Sequence, residues 1–176
     1  MHIDTARRSM TLKIVFYGPG LAGKTTNLSA LHKGYDDGRR GQLVTLDTEN
    51  ERTLFFDYFP ASLGRVGGFS VGLDFFTVPG QSFYASTRRM VVRGADAVIF
   101  VADADPRREA ANLTAMRELE ELLAAAGATP AIVMQWNKRD LPGALPVSVL
   151  ERTLNPKGHP SVEACAKRGV GVRETA

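Results

Sequence analysis

The chain reads as an α/β domain with a mainly parallel sheet, and three observations predict it. Gly18-Pro-Gly-Leu-Ala-Gly-Lys-Thr25 follows an apolar β-type run, residues 12–17 (LKIVFY), and opens onto residues 24–33, which suit a helix. Residues 97–102 (AVIFVA) and 131–136 (AIVMQW) are continuous apolar runs of the kind buried on both faces of a parallel sheet. Between them Leu113, Met116, Leu119, Leu122, Leu123 and Ala126 recur at helical spacing until Gly127. Strands alternating with helices put a ligand at the carboxyl ends of the strands.

Taken in order, residues 1–11 are polar and expected to be a loose lead-in to the first strand, 12–17. The helix that follows carries Leu28 and Leu31 on one face and stops at Gly34. Residues 34–53 are rich in Gly, Asp, Arg and Thr, with one short apolar patch at 43–46, and are expected to be a functional loop. Two β-type runs, 54–59 (LFFDYF) and 69–78 (FSVGLDFFTV), flank Pro60 and a Gly-bearing turn at 64–68, as in an antiparallel hairpin. The second run ends at Thr77-Val-Pro-Gly-Gln81, and residues 82–92 suit a short helix. Asp105-Pro106 reads as an N-cap with proline at the first helical position. The strand at 131–136 leads into Asn137-Lys-Arg-Asp140, and a short helix near 147–150 and a weak strand near 162–164 complete the chain. No repeat or linker divides the 176 residues, so one domain is expected.

A hydrophobic share of 44% and a charged share of 23% exclude a disordered chain. The net charge of +3 is spread over scattered pairs such as Arg7-Arg8, Arg39-Arg40, Arg88-Arg89 and Arg107-Arg108. Scattered pairs argue for solvated surface and against a nucleic-acid partner. Cys165 is the only cysteine, so no intrachain disulfide can form. His2, His32 and His159 show no zinc-ligand spacing. No apolar run approaches a bilayer span, and the C-terminus carries no prenylatable cysteine. A cytoplasmic protein with no intrinsic membrane anchor is the expectation.

Strand, glycine-rich loop and helix in succession make the 18–25 segment a Walker A P-loop, the cradle of a P-loop NTPase. Its backbone N–H groups, from Gly18 and Gly20 through Leu21, Ala22 and Gly23 to Thr26, can curl around phosphate oxygens. Lys24 can reach the β- and γ-phosphates, and the Thr25 hydroxyl can ligate Mg²⁺. Asn137-Lys138-Arg139-Asp140 chooses the base. The Asp140 carboxylate can accept from the ring N–H and the exocyclic amine of guanine, a donor pair that adenine lacks. Asn137 can reach the other edge of the base, and the Lys138 stem can cover its face.

These residues carry a resemblance. YGPGLAGKTTNL, ENERTLFFDYFP, TVPGQSFY, RGADAVIFVADA and NKRDLP together resemble the Ras-like small GTPases, and within them the bacterial MglA family of cell-polarity and gliding-motility switches. The resemblance implies a Ras-like small G domain that binds GTP or GDP with Mg²⁺ and hydrolyses GTP slowly, on the order of 10⁻⁴ to 10⁻² s⁻¹ unassisted. It implies that Arg52 supplies an arginine in cis and that Gln81 orients the attacking water. Thr53 would sense the γ-phosphate and join Thr25 on the metal, with Gly80 beside it. Cys165-Ala166-Lys167 matches the base-contacting Ser-Ala-Lys loop, with Cys165 in place of serine. Switch I would span about 38–60 and switch II about 79–90. The implied activator is an MglB-like Roadblock-domain dimer; effectors and an exchange factor are implied without being named. Recruitment to a cell pole would follow from such partners. A nucleotide-binding interaction module with negligible hydrolysis is the alternative reading.

Two departures stand out. Ras-like proteins generally place an aspartate three residues before the switch II glycine, to hold an Mg²⁺-bound water; here that residue is Thr77. Asp74 is too far along the strand to replace it, so a loose Mg²⁺ dependence is expected. Ras-like folds also end in a long helix, whereas this sequence stops at Ala176, about where that helix should begin. The expectation is an uncovered apolar strip on the sheet and marginal stability.

Overall fold

The structure is a computed structural model that describes residues 1–46, 56–80 and 85–176. Arg52, Thr53 and Gln81 lie outside the described residues.

Among those residues eight strands form one sheet. β2 (Ser9–Tyr17) is central and pairs in parallel with β5 (Phe69–Thr77) and β6 (Ala97–Asp103). β7 (Ala131–Asn137) and β8 (Ser161–Glu163) extend the parallel part beyond β6. On the other side β4 (Phe56–Val66) and β3 (Val44–Leu46) are antiparallel. Residues 1–11 are not the loose lead-in expected. β1 (His2–Asp4) folds back antiparallel on the start of β2, so polar residues here take the outer end of a central strand. The apolar patch at 43–46, expected inside a loop, supplies β3, which gives β4 a partner on its outer edge.

Pro60 does not end a strand as the sequence suggested. Its carbonyl accepts from the Gly41 N–H, so its ring nitrogen faces the same outer side, beyond the end of β3. No ladder bond to β5 needs the N–H that proline lacks. The turn is instead the pair Gly67 and Gly68, with φ of 58° and 84°, the left-handed values of a two-residue hairpin turn.

The two sheet faces are covered separately. Val15, Tyr17, Phe100, Met134 and Trp136 pack under α3 (Glu109–Ala126), α4 (Val147–Leu154) and Val91 and Val92 of α2 (Ala85–Val92). Phe16, Phe75, Ile99 and Val101 pack under Leu28 and Leu31 of α1 (Lys24–Gly34). Asp105 caps a 3₁₀ turn, Pro106–Arg108, by accepting from the Arg107 N–H, and that turn runs into α3. Gln135 stands in a buried strand because its amide donates to Asn27 of α1 at 2.9 Å and to Thr175 of α5 (Val172–Thr175) at 3.0 Å. Towards the other end of that face Leu12, Ala97 and Val133 are half-buried.

Candidate functional site

The parallel strands point their carboxyl ends at one rim, and the loops leaving β2, β5, β6 and β7 meet there. The loop after β2 requires its glycines. A Cβ on Gly18 would stand 2.3 Å from the Val101 carbonyl oxygen of β6, and its φ of +140° suits no other residue. A Cβ on Gly23 would strike the Asn137 amide at 2.5 Å. Leu21 adopts a φ of 66° with its side chain exposed, whereas Ala22 is buried.

Lys24 is 6% exposed, and its ammonium donates to the carbonyls of Gly18 at 2.9 Å and Pro19 at 2.7 Å. Burial pulls its pKa down to about 8; the nearby Arg88 cation adds to that, and the Asp57 carboxylate opposes it. The Thr25 hydroxyl donates to Asp57 at 2.7 Å. Gly80, at the end of the β5 loop, packs on Gly20; a Cβ there would lie 2.3 Å from the Gly20 Cα. Gly20, Lys24, Thr25, Asp57 and Gly80, together with Leu21, Gly23, Thr26, Thr45, Phe56, Thr77 and Pro79, line a cavity of about 680 Å³.

A second cavity of about 290 Å³ opens beside it, sharing Leu21, Gly23 and Thr26 and walled by Asn137, Lys138, Asp140, Cys165 and Ala166. Asp140 is exposed into this space. A hydrogen bond from the Cys165 thiol, the largest of several causes, holds its carboxyl below the usual range. Desolvation pushes the Cys165 thiol up, and the bond to Asp140 adds to that. Asn137 is buried at the end of β7. Its amide donates to the Ala22 carbonyl at 2.8 Å and accepts from the Ala166 N–H at 2.9 Å, tying three loops together. Lys138, at a φ of 66°, donates to Asp103 at 2.7 Å, which extends its stem along the cavity wall.

The structure thus gathers Gly18, Gly20, Leu21, Ala22, Gly23, Lys24, Thr25, Thr26 and Gly80 at one end of the rim. Asn137, Lys138, Asp140, Cys165 and Ala166 stand at the other. The predicted roles of Arg52, Thr53 and Gln81 fall outside the described residues. Sequence reasoning missed Arg108, whose guanidinium donates to the Gly20 carbonyl at 2.6 Å and stands 3.8 Å from the buried Asp103. That arginine connects the phosphate loop to Lys138 through one carboxylate. It also missed Asp57, an acid inside the aromatic run FFDYF. The alternation of β4 puts Asp57 on the same inward face as Phe59, and both are buried. That periodicity was the available signal.

The donors near Thr25 are hydroxyl and carboxylate oxygens, the hard ligands that Mg²⁺ prefers. Among the described residues no three His, Cys, Asp or Glu side chains group as a transition-metal site, and no helix is long and apolar enough to cross a membrane.

No family model matches the chain. Over 98% of its length it is 43% identical to Mutual gliding-motility protein MglA of Myxococcus xanthus (strain DK1622), covering 90% of that protein.

Proposed function

Because the chain belongs to the MglA family and carries a Ras-like small G domain, we propose that it is a GTP-binding switch. It hydrolyses GTP slowly to GDP and phosphate, and its GTP form recruits effectors for gliding motility or cell polarity. The observation that supports this most directly is the pair of adjoining cavities that share Leu21, Gly23 and Thr26. The larger has the amides and lysine of a phosphate cradle, and the smaller has one exposed carboxylate suited to the two guanine donors.

In this reading Lys24 binds the β- and γ-phosphates, Asp140 selects guanine, and Asn137 holds the base and phosphate loops in register. Gln81 orients the attacking water, and Arg52 neutralises charge on the leaving phosphate from within the chain. Thr25 and Thr53 would hold Mg²⁺, which would supply charge neutralisation at the phosphates. Switch I (about 38–60) and switch II (about 79–90) sense the γ-phosphate, and an MglB-like Roadblock-domain dimer completes the catalytic arrangement. The protein is cytoplasmic, and partners bring it to a cell pole.

Single-turnover GTP hydrolysis with and without a Roadblock-domain partner tests the proposal, alongside competition of ATP against labelled GTP. Partner-stimulated phosphate release with GTP-selective binding is expected. GTP binding with no stimulated release leaves a nucleotide-binding interaction module in its place.

A further inference from the structure

We propose that Arg108 is a positioning residue for nucleotide binding, which holds the Gly20–Leu21 peptide with its carbonyl outwards and its N–H towards the phosphate side of the loop; this rests on the switch reading above. The loop makes a four-residue turn there, closed by the Ala22 N–H donating to the Pro19 carbonyl at 3.4 Å. Leu21 occupies the third position of that turn at a φ of 66°. A positive φ at this position marks a type II turn, where glycine or asparagine is the usual residue. On leucine the conformation is strained. Its side chain is 85% exposed, so packing does not hold it there.

The bond on the preceding carbonyl can. Type I and type II turns differ by a half-turn of the central peptide, here Gly20–Leu21. The Arg108 guanidinium donates to the carbonyl of that peptide at 2.6 Å, which fits one of the two orientations. Arg108 lines a separate cavity of about 350 Å³ with Gly18, Pro19, Gly20 and Gly80, and it does not line the 680 Å³ phosphate cavity. Because the peptide is planar and trans, the Leu21 N–H points the opposite way from the Gly20 carbonyl and so away from Arg108. A flipped peptide would present a carbonyl oxygen to the phosphates instead.

The neighbouring carbonyls are held in the same manner. Those of Gly18 and Pro19 accept from Lys24, and that of Ala22 accepts from Asn137. With Gly20 tied to Arg108, four carbonyls of the loop are occupied by protein donors, which leaves its N–H groups to form the anion-binding concavity. Arg108 is itself tethered. Its Nε stands 3.8 Å from Oδ2 of the buried Asp103, and the same oxygen accepts from Lys138 at 2.7 Å. A buried carboxylate between two cations keeps both in place.

The test is the Kd of a fluorescent GDP analogue, measured for wild type, Arg108→Ala, Leu21→Gly and the double variant. Arg108→Ala should raise Kd about 10- to 100-fold, the size expected for losing one hydrogen bond with a charged donor. Glycine adopts a positive φ freely, so in the Leu21→Gly background the same change should raise Kd only about threefold or less. The Leu21 amide proton, followed by heteronuclear NMR, should move downfield on GDP binding in wild type and stay near its unliganded position in Arg108→Ala. Equal Kd values for wild type and Arg108→Ala overturn the assignment. So does an equal loss in both backgrounds, which would place the effect at the base, through Asp103 and Lys138. A Leu21 amide that moves equally in both proteins overturns it as well. Wild-type protein that binds no guanine nucleotide overturns the switch reading itself, a result distinct from equal Kd values. If Arg108→Ala does not fold, Arg108→Met keeps the stem without a donor and carries the same comparison.

Discussion

Lys24 is held by two carbonyls of its own loop and buried by the fold around it, so its proton is easier to lose than that of a surface lysine. Phosphate oxygens beside the ammonium would raise its pKa from about 8 back towards or above the ordinary 10.5. Above pH 8, binding therefore takes up a proton, and nucleotide affinity should fall by up to about tenfold per pH unit. Calorimetric titration near pH 9 in two buffers of different ionisation heat measures that uptake; equal heats would contradict it. The sign for folding is opposite. The folded pKa lies below the unfolded one, so burying the charged lysine costs stability below pH 8, and that cost is lifted as pH rises from about 8 to 10.5. At Arg52 the expectation is catalytic. Arg52→Ala should lower single-turnover hydrolysis by about 10³-fold or more with GTP affinity kept, and an unchanged rate would remove it from the mechanism. The P-loop residues and Asp140 were legible in the sequence because each carries a type-specific chemistry at fixed spacing. Asp57 and Arg108 were not, since an acid in a strand and an arginine in a 3₁₀ turn acquire meaning only from what lies across from them.

At the scale of elements, the loop after β2 is locked against β6. Gly18→Ala sets a methyl group 2.3 Å from the Val101 carbonyl, which cannot move without breaking the β6 ladder, at a φ that alanine avoids. A loss of more than about 2 kcal/mol is expected, seen as a lower denaturant midpoint. Gly127, by contrast, would accept a Cβ without a close contact and is demanded only by its φ of 58° at the end of α3. Element types were legible wherever hydrophobic period was strong: α3, β6 and β7 stand where their repeats put them. Pro60 misled because its cost depends on which edge its nitrogen faces, and β1 was invisible because a polar strand of three residues has no period to read.

The whole molecule places these two cavities on one rim of the sheet, and a nucleotide spanning both should stabilise the fold globally. A ligand at 1,000 times its Kd adds about 4 kcal/mol, worth roughly 8–16 °C in Tm for a domain of this size. GDP with Mg²⁺ should produce such a shift in a thermal melt, and ADP at equal concentration should not. Equal shifts would remove the guanine assignment.

By itself the sequence determined the α/β class, the P-loop pattern, the Asn137–Asp140 motif at a strand end and the family resemblance, because each is written in consecutive residues whose spacing carries the physics. Only the tertiary structure decided that Asn137 serves as a clamp between loops and that Arg108 grips the phosphate loop. It alone put an acid beside Thr25. Those facts depend on strand pairing and on loops brought together across 29 to 115 positions of sequence, and no local pattern encodes which groups meet at such separations.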